Sequence, residues 1–224
     1  MGMTAAEAIT SRRAIRAFLP APVPRETVAR ILTVAARAPS GSNIQPWHVH
    51  ALAGDPLKAL CAEMMAAHEA DVPAEREYAY YPDPWFEPYL SRRRKVGWGL
   101  YATLGITKND RDRMKAQQGR NFIFFGAPVG LIVTIDRRLN PGSWLDLGMF
   151  VQNILVAARG EGLDTCPQAA LATRHTILRR HMPIPAEDIV VCGIALGMAD
   201  PDAPENTLET TREPVESFCN FQGF

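Results

Sequence analysis

Residues 144–158 read as a helix that is apolar on most faces, carried by Leu145, Leu147, Met149, Val151, Ile154 and Leu155. A helix with one apolar stripe can lie on a surface, but one that is apolar nearly all round has to be covered on several sides. This helix therefore belongs at the centre of the fold, and Gly160 and Gly162 end it. Two apolar runs, Val129 to Ile135 and Ile189 to Leu196, have the length and character of buried strands. Trp47, Val49 and Ala51 alternate with His48 and His50, as in a strand with one buried face. Leu163 to Ala170 reads as a short strand leading into small residues.

Helical patterns fill the intervals. Thr4-Ala5-Ala6-Glu7 is a capping box that opens a short helix. Val28, Ile31, Leu32 and Ala35 share one helical face after Pro24. Leu57, Leu60, Cys61 and Met64 have the same spacing from Pro56 to about His68. Asn109 is placed to cap a helix running to about Arg120-Asn121, and another helix is expected from Thr173 to His181. With 47% hydrophobic residues among 224, the chain can bury a sizeable core.

Charge excludes some function classes. Lys+Arg and Asp+Glu both number 24, so nothing in the balance points to nucleic acid or a membrane surface. No apolar run approaches the length of a membrane span. The four cysteines are far apart and form no C-x-x-C pair, which suits a reduced, cytoplasmic setting and no zinc or redox motif. The start is amphipathic and does not resemble an apolar signal region.

Three polar knots stand out. In Ser11-Arg12-Arg13-Ala14-Ile15-Arg16-Ala17-Phe18, burying Ile15 in an extended segment turns Ala14 and Arg16 to the other face. Arginine's fork matches phosphate oxygens with paired hydrogen bonds. In Arg37-Ala38-Pro39-Ser40-Gly41-Ser42-Asn43-Ile44-Gln45-Pro46-Trp47, short polar residues leave backbone N–H groups uncrowded. Pro167 followed by Gln168-Ala169-Ala170 lets a ligand approach the backbone closely. Residues 71–95 hold Tyr78, Tyr80, Tyr81, Trp85, Phe86 and Tyr89 among prolines and acids, a composition suited to capping a flat ligand. His48 and His50 share a strand face, but no carboxylate or cysteine accompanies them there as a metal site would require. Gly97-Trp98-Gly99-Leu100-Tyr101-Ala102 matches the dinucleotide fingerprint by letter only. A basic helical segment precedes it where an apolar strand is needed.

Taken in order and spacing, Ser11 to Phe18, Ala38 to Trp47, Gly162-Leu163-Asp164-Thr165-Cys166-Pro167 and Thr211-Arg212 resemble the FMN-dependent nitroreductase family across nearly the whole chain. The resemblance implies an α+β fold: a central mixed, mainly antiparallel sheet flanked by helices. Residues 1–224 would form one domain, with 71–121 a helical and aromatic cap and 201–224 a tail docked on a partner protomer. It implies an intertwined homodimer with FMN in the subunit interface. Arg12, Arg13 and Arg16 match the family's cofactor-binding run, with Arg12 and Arg212 at the phosphate and Arg16 at the flavin's pyrimidine edge. Ala14 stands where many members have Ser, and Thr210 where some have Lys. Pro39, Ser40, Ser42 and Asn43 match the loop that reaches FMN from the other protomer. Pro167, Gln168, Ala169 and Ala170 match the segment lying against the isoalloxazine, without the acidic residue common there. Arg120 and Asn121 match a further flavin contact. Tyr81, Trp85, Phe86, Tyr89 and Trp98 are the expected wall for a small aromatic acceptor.

No Ser/His/Asp, Cys/His or paired-carboxylate arrangement competes with this reading, and a flavoenzyme needs none. The implied activity is ping-pong transfer from NAD(P)H through FMN to nitroaromatics or quinones, giving nitroso and hydroxylamine products. Other flavin reactions on the same scaffold (flavin destruction, dehalogenation, enone reduction) and flavin binding without turnover are the alternatives.

Overall fold

The computed structural model describes residues 3–224. The two apolar runs form the centre of a four-stranded sheet: β2 (Val129–Asp136) pairs antiparallel with β4 (Asp188–Gly197). The edge strands are β1 (His48–Ala53) beside β2 and β3 (Asp164–Gln168) beside β4, giving the order β1-β2-β4-β3. All three pairings are antiparallel, and a parallel contact survives as the isolated bridge between Ala14 and Thr165.

Because side chains alternate along a strand, the sheet feeds two cores. Leu131, Val133 and Ile135 of β2, with Cys192, Ile194 and Leu196 of β4, pack on α2 (Arg25–Ala35) and α6 (Pro141–Gly160). Ile132 and Ala195 point the other way, toward α3 (Gly54–Glu69), the 3-10 segments Arg120–Gly126 and Ala169–Arg174, and α7 (His175–His181). One interruption shapes this pattern. Val133 pairs with Cys192 but Thr134 pairs with Val190, so Val191 is a bulge. A bulge shifts the alternation by one, and beyond it Val190 joins the second core.

The first helix, α1 (Ala5–Ser11), opens with both hydrogen bonds of the Thr4–Glu7 capping box. Two helices lie outside the layers: α4 (Tyr89–Thr103) and α5 (Arg111–Gly119). The residue before α5 is Asp110, not Asn109, and its carboxylate turns back to accept from the N–H and Oγ1 of Thr107. Gly97 to Ala102 lie in mid-helix in α4, where no phosphate-binding turn can form.

The central helix departs from its sequence reading. Leu147, Phe150, Ile154, Leu155 and Ala158 are buried, but Leu145 is 73% exposed and Met149 40%. One apolar face of α6 is thus uncovered within a single chain. At its buried side Phe150 stacks on Trp47, with ring centroids 4.6 Å apart. β1 also differs: Val49 is half-buried and Ala51 exposed, because this is an edge strand whose firmly buried residue is Leu52. From Glu209 onward every residue of the C-terminal arm is exposed, including Phe218, Phe221 and Phe224.

Among the described residues, no helix is long and apolar enough to cross a membrane.

Candidate functional site

The arginine segment is held in extended form by the sheet. The N–H of Ile15 donates to the Thr165 carbonyl at 3.0 Å, and that of Leu19 to the Met198 carbonyl at 2.9 Å. Ile15, Ala17 and Phe18 are buried, while Ala14 and Arg16 take the half-exposed face that the alternation requires. A second grip comes from Asn206 in the 3-10 turn Pro204–Thr207. Its Oδ1 accepts from the N–H groups of Arg16 (2.7 Å) and Ala17 (3.2 Å). Its Nδ2 donates to the carbonyls of Ala17 (2.8 Å) and Asp200 (2.9 Å).

These contacts gather positive charge at one edge of β3. Burial, and then the nearby charge of Arg212, hold the Arg12 guanidinium below the usual arginine range. Among the described residues neither guanidinium has a carboxylate within salt-bridge distance, and like charges brought together suit an anion. Burial pushes the Cys166 thiol up to about 11 although Arg16 and Arg12 pull it down, so it stays a neutral thiol at pH 7. Arg13 does not join the group; it pairs with Glu209 at 3.6 Å.

A cavity of about 250 Å³ opens at Arg16. Cys166 and Pro167 line it from β3, Gly97, Leu100 and Tyr101 from α4, and Asn121 and Phe125 from the segment after α5. Gln168 Nε2 donates to the Asn121 carbonyl at 2.9 Å and approaches its Oδ1 at 3.3 Å, fixing one wall. Gln117 Nε2, Gln168 Oε1 and Thr165 Oγ1 are buried without a hydrogen-bond partner. Buried polar atoms are normally satisfied; of these, Gln117 lines the cavity at Arg16 and is free to meet a ligand there. Pro167 also borders a second cavity of about 230 Å³, shared with Gln168, Ala169, Tyr80, Trp144, Leu147 and Gly148. The Pro167–Ala169 backbone therefore separates two openings, one against α4 and one against the uncovered side of α6.

The remaining expected residues fall in separate places. Ser42 and Asn43 both adopt positive φ, near 50° and 58°, in a loop whose Gly41 N–H donates to buried Asp146 Oδ2 at 3.1 Å. Ser40 Oγ accepts from the Gln45 N–H, and Pro39 is exposed. None of Pro39, Ser40, Ser42 and Asn43 lines the cavity at Arg16; within one chain they sit on α6. Arg120 pairs with buried Glu205 at 2.6 Å and does not line that cavity either. Ala170 is half-buried at the start of the 3-10 segment, and Arg212 bonds to Thr210 and Thr211 beside it in the C-terminal arm.

The aromatic segment is anchored at the β4 bulge. Tyr78 Oη donates to the Val191 carbonyl at 2.6 Å, and Glu77 accepts from the Val190 N–H at 3.0 Å. From that anchor Tyr80 reaches the second cavity, and Tyr81 and Trp85 continue the chain of rings outward. Phe86 and Tyr89 form another pair, and Trp98 packs on Tyr101. Tyr80 and Tyr101 border these two cavities, and none of Tyr81, Trp85, Phe86, Tyr89 and Trp98 lines either within one chain. Gln117, Tyr101, Asp146, Glu205 and Asn206 were not singled out from sequence. A glutamine in an amphipathic helix and an asparagine in a polar tail carry no local sign of such roles.

Among the described residues, no three His, Cys, Asp or Glu side chains are grouped to hold a metal. His48 Nδ1 instead meets the buried Asp188 at 2.8 Å, a carboxylate brought from β4.

Arg16 and the unpartnered Gln117 amide give this cavity the polar lining of a ligand site. The nitroreductase family model matches residues 9–198, and the chain belongs to that family. It is 42% identical over 216 residues to a 4-nitrobenzoate reductase of Pseudomonas putida, covering 96% of this chain and 94% of the relative. It is 40% identical over 214 residues to a nitrobenzene nitroreductase of Ectopseudomonas oleovorans, covering 95% and 94%. The crystal structure of FMN and NADPH-dependent nitroreductase NfnB from Sphigopyxis sp. strain HMH superposes with a TM-score of 0.94 at 36% identity, covering 99% of this chain and 100% of that one. FMN fits the residues present. Arg12 and Arg212 suit its phosphate, and the Arg16–Pro167 cavity with its unpartnered Gln117 amide suits a polar ring edge.

Proposed function

We propose that this chain is an FMN-dependent NAD(P)H oxidoreductase that reduces nitroaromatic compounds as a homodimer. The observation that carries the reading is the shared cavity of Arg16 and Pro167, with the Arg12–Arg212 pair close by. When bound, FMN supplies the redox chemistry, taking two electrons from NAD(P)H and passing them to the acceptor. The protein's part is binding, orientation and charge. Arg16 places a cation at the cavity, where negative charge on a reduced ring is stabilised by a preorganised partner. Gln168, locked by Asn121, keeps the Pro167–Ala169 backbone open to a ring on its exposed side. Tyr80 and Trp144, at the second cavity, offer flat apolar faces to an aromatic acceptor. Each round converts a nitro group, NAD(P)H and a proton to nitroso product, NAD(P)+ and water; a second round gives the hydroxylamine.

Two observations support the homodimer. The loop 39–43 is tied to α6 through Gly41 and does not line the cavity at Arg16 of its own chain, so a partner would bring the two halves of the site together. Leu145, Met149, Phe218 and Phe221 are apolar and uncovered, the surface an obligate interface hides. The C-terminal arm would dock on that partner, and the enzyme would work in the cytoplasm on NADPH, the donor named for NfnB.

Steady-state rates with NADPH and 4-nitrobenzoate test the proposal. Parallel double-reciprocal lines and a hydroxylamine product are expected. No turnover of nitrobenzoate, nitrobenzene or chloronitrobenzene by the flavin-loaded protein would overturn it.

A further inference from the structure

The cleft between α4 and the C-terminal arm holds a charge imbalance that the arginine segment does not account for. Its volume is about 280 Å³, and its charged lining residues are Arg92, Lys95, Glu209, Arg212 and Glu213. Both acids are engaged: Arg92 meets Glu213 at 3.3 Å, and Arg13 meets Glu209 at 3.6 Å. Among the described residues, Lys95 and Arg212 have no carboxylate within salt-bridge distance. Lys95 Nζ lies 3.3 Å from Thr211 Oγ1, and Arg212 bonds to Thr210 and to the Thr211 carbonyl. The two cations therefore converge on the same short stretch of the arm, Thr210–Arg212, and the charge of Arg212 also acts on the Arg12 guanidinium.

The cleft adjoins the ring cavity. Lys95 and Val96 line the cleft, and Gly97, next on α4, lines the cavity at Arg16 together with Leu100. The two spaces thus follow one another along a single helix, as the ring and the phosphate-ended chain of a flavin nucleotide do. We infer that Lys95 is a third phosphate-binding cation, closing α4 over a terminal phosphomonoester that Arg12 and Arg212 hold from the other side. This rests on the FMN reading above. It commits to a residue of α4, a helix that has no buried residue to fix it in place. An ammonium on a long flexible stem suits this task, since it can follow a phosphate that enters from solvent.

The test compares FMN with riboflavin, which lacks the phosphate. Apoprotein is titrated with each by fluorescence quenching, for the wild type, Lys95→Met and Lys95→Arg. A charge-assisted hydrogen bond to phosphate predicts that Lys95→Met weakens FMN by about tenfold or more. Riboflavin affinity should stay unchanged, Lys95→Arg should restore most of the loss, and the salt dependence of FMN binding should become shallower in Lys95→Met. Equal losses for FMN and riboflavin, or no loss for either, would overturn the assignment. So would an increase confined to the KM for NADPH, which would place the nicotinamide cofactor's phosphate in the cleft. Wild-type apoprotein that binds neither flavin would instead sink the FMN reading itself, so the two failures are distinguishable.

Discussion

Replacing Asn206 with alanine removes four hydrogen bonds from one buried side chain. Asn206 is 7% exposed, so water cannot fully replace what is lost. Two of its partners are N–H groups of the arginine segment and two are carbonyls, those of Ala17 and Asp200. The Ala17 carbonyl keeps another donor, the N–H of Asp200 at 3.0 Å, whereas the N–H groups of Arg16 and Ala17 are both left without a partner. Three of the four bonds are not replaced, because only the Ala17 carbonyl keeps a second donor, so at about 1 kcal/mol per bond the cost is roughly 3 kcal/mol. For a domain of this size that corresponds to a fall in Tm of about 6–12 °C. Circular dichroism melts, with and without FMN, measure it. Asn206→Asp is the sharper variant. It keeps the two accepted bonds but sets a carboxylate oxygen against two carbonyls, so it destabilises at neutral pH and recovers on acidification. Both variants loosen Arg16, and flavin affinity should fall although Asn206 does not line the ring cavity. A Tm within about 2 °C of wild type, together with unchanged FMN affinity, would refute the clamp.

Three further outcomes follow from local geometry. Asp146→Ala frees the Gly41 N–H and lets the strained 39–43 loop relax; it should speed hydrogen exchange there and lower FMN affinity, and no change in either would remove Asp146 as its anchor. Gly193→Ala drives a Cβ to 2.1 Å from Leu171 Cδ1 in the core, which should cost about 1–3 kcal/mol in denaturant melts, and a neutral result would mean that Leu171 repacks freely. Burial raises the Glu77 carboxyl pKa, but the Val190 N–H, Arg137 and Arg179 outweigh it and leave the net value below the usual range. A depressed pKa contributes stability above the unfolded value that is lost as pH falls through the folded one, so residues 75–80 should detach only under acidic conditions; tyrosine fluorescence that loses the cap at neutral pH would contradict this.

The fold was legible where the signal was local. The apolar runs of β2 and β4, the Thr4–Glu7 box and the face of α2 each depend on neighbours within a few residues. The arginine segment was legible too, because Ile15 and Phe18 mark its buried side. What sequence could not supply were partners distant along the chain. Asn206 reaches back to Arg16, and Asp188 reaches back to His48. The bulge at Val191 hides inside an uninterrupted apolar run, and with it the anchor that sends Tyr80, not Tyr81, to the second cavity. The exposed face of α6 was misjudged because apolarity reports burial without saying whose atoms do the burying.

The absorbance spectrum of the purified protein tests the central claim most directly. The account predicts a flavin spectrum that anaerobic NADPH bleaches and 4-nitrobenzoate restores, with one FMN per chain. A protein that takes up no FMN, or whose bound flavin NADPH and NADH both leave oxidised, would contradict it.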